Sequence, residues 1–284
     1  MKTFFAKDLS PQETLPLLTG GIGPRPIALV STLSKEGISN LAPFSFFNAF
    51  GSNPPMVAFS PARRGRDGSF KDTYENLMET KECVVQVVTY TIVEQVNLAS
   101  AEFPNTVSEF EKSGLTPIDS KIVRPKRVQE SPFQMECKLH QMIPLGNRNG
   151  SGNLAICEVL LFHIDETAYQ NGTLQDLVGR NGTIYYTRAN QSALFEVPRA
   201  LSPNIIAWDG LPEFIKTHPK LTNNQRARLS LYEKVPSVKE AEVFVEEKWS
   251  DRPHPQLEQM AFDALYQNDL RSAWHIFVYL QRHQ

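Results

Sequence analysis

Residues 42–55 read Ala-Pro-Phe-Ser-Phe-Phe-Asn-Ala-Phe-Gly-Ser-Asn-Pro-Pro and set four phenylalanines beside Ser45, Asn48, Ser52 and Asn53. A planar heteroaromatic ligand asks for this mixture. Its rings need an apolar slot, and its edge atoms need fixed donors and acceptors to replace the hydrogen bonds they lose to water. A strand followed by a polar turn has the same composition, and residue types alone do not separate the two readings. Further along, residues 63–73 read Arg-Arg-Gly-Arg-Asp-Gly-Ser-Phe-Lys-Asp-Thr and lead into a helix start. There, free backbone amides with Ser69, Lys71 and Thr73 can hold a phosphate by dipole, hydrogen bond and point charge. The spacing is not that of a P-loop, which needs Gly-Lys-Ser/Thr after an earlier glycine. A basic loop before a helix is by itself usually only a loop. Joined to the aromatic slot by one short strand, it points to a mononucleotide-like ligand.

The elements that must position these segments are mostly strands. Residues 26–33 form an apolar strand, residues 34–37 a turn, and a return strand begins at Ile38, which together make a hairpin. Residues 56–60 are a third strand. Asp72 with Glu75 reads as a capping box for a short helix from Thr73 to about Thr80. Residues 82–88 are a buried β-branched strand, residues 91–101 a helix, and residues 108–114 a helical turn ended by glycine. Met135, Cys137 and Leu139 alternate with Glu136, Lys138 and His140 as a half-buried strand requires, and residues 154–164 pair back on it. Many strands with few, short helices predict a closed or nearly closed antiparallel barrel. A doubly wound sheet would need a helix after nearly every strand.

From about residue 203 the pattern turns helical. Thr222 with Gln225 and Ser237 with Glu240 are capping boxes, and two amphipathic helices meet near Asn268 and Asp269 as an antiparallel pair. Composition excludes other classes. The chain has 284 residues, is 41% hydrophobic and carries a formal charge of −2, so no global field steers it to nucleic acid or an anionic membrane. No apolar run is long enough for a membrane span, and charge interrupts the N-terminus before a signal core forms, which predicts a cytoplasmic protein. The sequons at Asn149, Asn171, Asn181 and Asn190 then read as turns. Cys83, Cys137 and Cys157 lack disulfide or metal spacing and read as core residues; the six histidines are not at metal spacing, so no metal is expected. Gly20, Gly21 and Gly23 precede a strand instead of following one, unlike a dinucleotide fingerprint, and read as a loop leading to Arg25.

Residues 25–32, 40–48, 54–60, 71–76 and 83–85, in this order and spacing, resemble the flavin reductase-like, FMN-binding split-barrel family. The likeness covers roughly residues 15–200. It implies a mainly β fold with short helices, an FMN-binding split β-barrel over residues 1–202; the C-terminal helical extension over 203–284, read from its own helical pattern, is not part of the family core and has no assigned role. Carried across by position, Arg25 belongs to the cofactor set, and Ala42, Ser45, Phe47 and Asn48 line the isoalloxazine and ribityl chain. Phe59 and Ser60 lie alongside, and Lys71, Asp72, Thr73 and Asn76 sit near the phosphate. Residues 178–186 resemble the family's Gly-Arg-x-Gly…Tyr element over the open flavin face, which makes Arg180 and Tyr186 candidates to face the substrate. Otherwise they belong to a surface turn. His163 is a further candidate at that mouth, unless it is a core histidine. Gly51, Asn53 and Gln86 depart from residues common in relatives. The resemblance implies an oxidoreductase in which NADH or NADPH gives hydride to flavin N5. The electrons pass to a small-molecule acceptor, and the protein is a homodimer with FMN near the subunit interface. The alternatives are a non-catalytic flavin or electron carrier whose tail docks a partner or covers the flavin, and a split-barrel oxidase of phosphorylated pyridoxine-type substrates. The 42–48 and 71–76 segments fit that oxidase less well.

Overall fold

The computed structural model describes residues 1–170, 172–197, 200 and 205–283. Two compact units make up the chain, Met1–Phe195 and Glu196–Gln284. The boundary expected at residues 202 and 203 lies outside the described residues, as does the sequon residue Asn171.

The first unit begins with α1 (Pro11–Gly21), for which the sequence analysis has no element. A reciprocal cap holds it: Ser10 accepts from the Glu13 amide, and the Glu13 carboxylate accepts from Ser10. Leu15, Leu17 and Leu18 stay exposed and only Thr19 is buried, so no apolar stripe announces this helix. Gly20 and Gly21 close α1 instead of forming a loop.

The central sheet contains β1 (Ala28–Leu33), β2 (Ser39–Phe44), β3 (Phe47–Ser52) and β4 (Pro55–Phe59). After α2 (Asp72–Thr80) comes β5 (Glu82–Gln86), and then two short helices, α3 (Val93–Leu98) and α4 (Glu109–Ser113). A small hairpin, β6 (Pro117–Ile118) with β7 (Arg127–Val128), precedes the long strands β8 (Phe133–Pro144) and β9 (Asn153–Ile164). The sheet order is β2-β1-β5-β8-β9-β4-β3, with every neighbour antiparallel.

That order and the chain connectivity together dictate a barrel. β2 and β3 are opposite edges of the sheet, yet only Ser45 and Phe46 lie between them. Six strand spacings in a flat sheet would separate those edges by roughly 29 Å, whereas three Cα steps span at most about 11 Å. The sheet therefore curls until its edges meet, but no ladder joins β2 to β3. Of the closed or nearly closed barrel expected from composition, the nearly closed form is the one present: a split barrel, as the resemblance implied, open at a seam at Ser45.

Inside the curl, Val30, Phe44, Phe59, Leu77 and Val85 form one core with the free thiols Cys83, Cys137 and Cys157. All three are buried in the packed core, and the neighbouring thiols of Cys137 and Cys157, together with burial, push the Cys83 thiol well up. A second cluster, with Leu29, Leu41, Ile92, Val96 and Phe110, packs α3 and α4 on the outer face. Two expectations need correction. Lys71, not Asp72, is the N-cap of α2, and no side chain caps the helix; the Asp72 carboxylate lies 3.7 Å from Arg64 instead. Glu136, expected on the solvent face of its strand, is fully buried, because a register shift in β8 meets a covering loop at residues 121–123.

Two more hairpins complete this unit, β10 (Tyr169–Gln170) with β11 (Thr173–Leu174) and β12 (Leu177–Asn181) with β13 (Tyr185–Ala189). The second unit consists of α5 (Glu213–Lys216), α6 (Asn223–Leu229), α7 (Val238–Trp249), α8 (His254–Tyr266) and α9 (Leu270–Arg282). Both expected capping boxes are present, at Thr222 and Ser237. Its own core holds Ile215, Leu229, Leu257, Leu265 and Trp274. Trp274, the largest fully buried side chain, donates its indole N–H to the Leu229 carbonyl at 3.0 Å. All three tryptophans, Trp208, Trp249 and Trp274, belong to this unit. Among the described residues no helix is long and apolar enough to cross a membrane.

Candidate functional site at the barrel seam

Arg25 enters the site from the loop before β1, where burial leaves it only 6% exposed. Its Nη1 donates to Ser45 Oγ at 2.8 Å, its Nη2 donates to the Gly182 carbonyl at 2.7 Å, and its guanidinium carbon lies 5.6 Å from the Phe46 ring centre. Backbone bonds join Arg25 and Arg180 in both directions, at 2.9 and 2.8 Å. One side chain thus ties the seam to the β12–β13 hairpin that carries Arg180 and Tyr186. Its Nε is buried without a hydrogen-bond partner, and among the described residues neither Arg25 nor Arg180 pairs with a carboxylate. Burial pulls the Arg25 guanidinium pKa down, and the like charge of Arg180 adds to this.

The hairpin lies so close to residues 24 and 25 that a Cβ at Gly179 would stand 2.6 Å from Pro24 Cβ. Gly179→Ala is expected to cost about 1–3 kcal/mol by overpacking and to displace Arg180 with it. Thermal unfolding within the error of wild type would show that the hairpin has room to shift.

The second part of the site is the start of α2. Ala42, Arg64, Lys71, Asp72 and Thr73, together with Glu102 and Glu109, border one small cavity of about 30 Å³. Because no side chain caps α2, its first amides are left to a ligand or water. Arg64 lies 3.5 Å from Glu102 as well as near Asp72, and Arg63 lies 3.9 Å from the Phe70 ring, which stacks on Tyr74. Ser69 is already engaged: its amide and hydroxyl both donate to Asp67, and these bonds hold the Asp67 carboxyl down at about 2. Thr73 and Asn76 are buried, and with Asn40 and Thr32 they form hydrogen bonds of 3.0–3.1 Å that fasten α2 to β1 and β2. A roomier neighbouring cavity of about 420 Å³ is ringed by Glu36, Glu75, Glu79 and Glu109 with no Lys or Arg in its lining, so that, unlike the smaller one, it has no cation to offset the repulsion of a phosphate.

The remaining candidates are dispersed. Phe47 lines an apolar cavity of about 220 Å³ with Pro24, Ile27, Val88 and Val178. Asn48 is exposed on β3, and its side-chain oxygen accepts from the Ala49 amide. Phe59 is in the barrel core against Phe44, with ring centres 5.3 Å apart, and Ser60 Oγ accepts from the Asn153 amide at 3.2 Å. His163 Nε2 bonds to Glu136 at 2.7 Å and lines none of these cavities. Gln86 is fully buried and donates to the Leu29 carbonyl at 3.3 Å, while Gly51 follows a register shift in β3. Among the described residues no cluster of three or more His, Cys, Asp or Glu could hold a metal ion.

Arg64, Tyr90 and Arg188 were not singled out by the sequence analysis as individual ligand-facing residues. The basic run at 63–66 held the signal for Arg64, but Tyr90 and Arg188 are 98 positions apart and meet only through the fold, with the guanidinium 3.9 Å from the ring centre.

The sequence pattern of the flavin reductase like domain matches residues 21–192. This chain belongs to the flavin reductase like family. Flavin binding goes with that family, whose matched region takes in the seam, the α2 start and the β12–β13 hairpin. An uncharacterised protein of Aquifex aeolicus is 38% identical over 187 residues, which covers 66% of this chain and 95% of that one. Nitrilotriacetate monooxygenase component B from Bacillus cereus superposes with a TM-score of 0.64 at 33% identity, covering 69% of this chain and 98% of that one. The 2-nitrobenzoate 2-nitroreductase NbaA of Pseudomonas fluorescens does so with a TM-score of 0.60 at 29% identity, covering 70% and 98%. The family match ends before the helical unit, which this flavin reductase like chain carries in addition.

Proposed function

We propose that the barrel unit binds FMN between the seam and the start of α2. The protein then works as an FMN-dependent oxidoreductase that draws on a reduced nicotinamide and serves a small-molecule acceptor. The observation that carries this reading is the placement of two cationic donor sets at either end of one short stretch. Ala42 borders the cavity of Lys71 and Arg64, and Ser45, three residues on, is held by Arg25.

The residues suit such a group. Lys71, Arg64 and the uncapped amides of α2 fit a phosphate dianion. A buried donor without an acceptor costs about 1–3 kcal/mol, so the Arg25 Nε favours a ligand that brings a carbonyl or ring nitrogen. Phe46 and Phe47 supply apolar surface for rings. When bound, FMN supplies the redox chemistry, accepting hydride at N5 from NADH or NADPH and delivering electrons onward. The chain's part is to anchor the phosphate, orient the rings and keep positive charge near them through Arg25 and Arg180.

The same reading includes a homodimer. Leu160, Phe162 and Ile164 alternate along β9 and are each close to half exposed, and Phe50 on the edge strand β3 is 67% exposed. A second copy would cover such apolar area. The three free thiols suit a reducing compartment such as the cytoplasm.

The deciding experiment is a visible spectrum after soaking with FMN and desalting, followed by stopped-flow reduction. A retained flavin band bleached by a nicotinamide is expected. A colourless protein would remove the proposal. Lys71→Ala is expected to weaken FMN by roughly 1.5–3 kcal/mol, that is about 10- to 150-fold in Kd. Unchanged retention would move the phosphate elsewhere. Light scattering that gives a monomer at working concentration would remove the dimer.

A further inference from the structure

A cavity of about 390 Å³ opens between α3 and the β12–β13 hairpin. Its volume is in the range that holds small ligands. Two tyrosines stand on it, Tyr90 at 52% and Tyr186 at 38% exposed, so aromatic surface is open to water there. Its charged groups are unequally committed. Arg188 is neutralised by a two-pronged bond to Asp176, at 2.6 and 2.7 Å, and lies 3.9 Å from the centre of the Tyr90 ring. Arg180 donates from Nη2 to the Thr183 carbonyl at 2.5 Å but has no carboxylate partner among the described residues, and its guanidinium is 5.6 Å from the Tyr186 ring centre. Across from the hairpin, α3 contributes Glu94 and Asn97, and among the described residues Glu94 makes no ion pair.

We propose that this cavity takes the adenine nucleotide half of the dinucleotide reductant, and that it selects NADH over NADPH. The inference rests on the function proposed above and deepens it. Each group has a matching one on an adenine nucleotide. The tyrosine rings stack with the purine, as base–aromatic stacking does generally. The Glu94 carboxylate and the Asn97 carboxamide oxygen accept from the exocyclic amine. The Arg180 guanidinium, which no carboxylate among the described residues neutralises, receives the 5′-phosphate through its remaining N–H groups in a charge-assisted bond. Selection follows from what is left over. A ribose 2′-phosphate adds a second dianion, and the remaining cation, Arg188, is already spoken for by Asp176, while Glu94 repels it.

The test is calorimetric titration of the FMN-soaked full chain with AMP and with adenosine 2′,5′-bisphosphate, which differ only in the 2′-phosphate. AMP is expected to bind at least about tenfold more tightly. Tyr90→Leu and Arg180→Gln are each expected to weaken AMP by about tenfold, and Tyr90→Leu to leave FMN retention unchanged. Stopped-flow bleaching should favour NADH over NADPH. Equal binding of the two nucleotides, or equal bleaching by the two dinucleotides, overturns the selection. Flavin bleached by NADH in a protein that does not bind AMP overturns this site and leaves the oxidoreductase standing. A protein that binds AMP through Tyr90 but retains no flavin supports the nucleotide site and overturns the oxidoreductase.

Discussion

Replacing Glu136 by alanine is expected to destabilise the barrel unit by about 3–5 kcal/mol in urea unfolding at neutral pH. The carboxylate is fully buried and accepts four hydrogen bonds: from the amides of Lys121, Ile122 and Val123 at 2.7, 2.7 and 3.1 Å, and from His163 Nε2 at 2.7 Å. Truncation leaves all four donors without an acceptor. The effect should depend on pH. Burial pushes the Glu136 carboxyl up, but the amides and His163 together outweigh it and hold the pKa below the ordinary 4.5. A depressed carboxylate pKa means that the stabilisation is present above about pH 4.5 and is lost as pH falls through the lower folded value. Glu136→Gln should therefore unfold with a shallower acid dependence than wild type. A Glu136→Ala protein within about 0.5 kcal/mol of wild type would mean that the loop at 121–123 finds other acceptors.

Trp274→Ala is expected to cost the helical unit about 3–5 kcal/mol, read as an earlier loss of far-ultraviolet circular dichroism on heating. The side chain is fully buried among the helices, and its indole bond to Leu229 is lost together with its volume. Trp208→Ala, at a residue 47% exposed, should change stability by no more than about 0.5 kcal/mol. Equal effects of the two substitutions would mean that the core of this unit is not organised around Trp274.

Elements with a local signature could be read from the sequence. The Ser34–Gly37 turn, where Gly37 takes a φ of 87°, the strands of the sheet and both capping boxes of the helical unit depend on neighbours within a few positions. What could not be read depends on distant partners. Asp72 has the composition of a helix cap, but Arg64 draws its carboxylate away, so the amides of α2 are left for another use. Glu136 occupies a polar position in an alternating strand, and only the loop folding over it makes that position interior. The segment at 42–48 was legible as a slot or as a strand and turn. The structure makes it two strand ends with the seam between them, a consequence of the whole sheet's order. The resemblance carried the family and the barrel, whereas the link from Arg25 to Ser45 and Gly182 needed three segments brought together.

Because every tryptophan lies in the helical unit, ultraviolet emission from indole originates entirely outside the barrel. A flavin absorbs in the region where indole emits, so loading the barrel with FMN would quench that emission by resonance energy transfer to a degree set by the separation of the two units. With FMN bound as proposed, the chain would carry a native donor on one unit and the acceptor on the other, and would report its own interdomain distance in solution without a label.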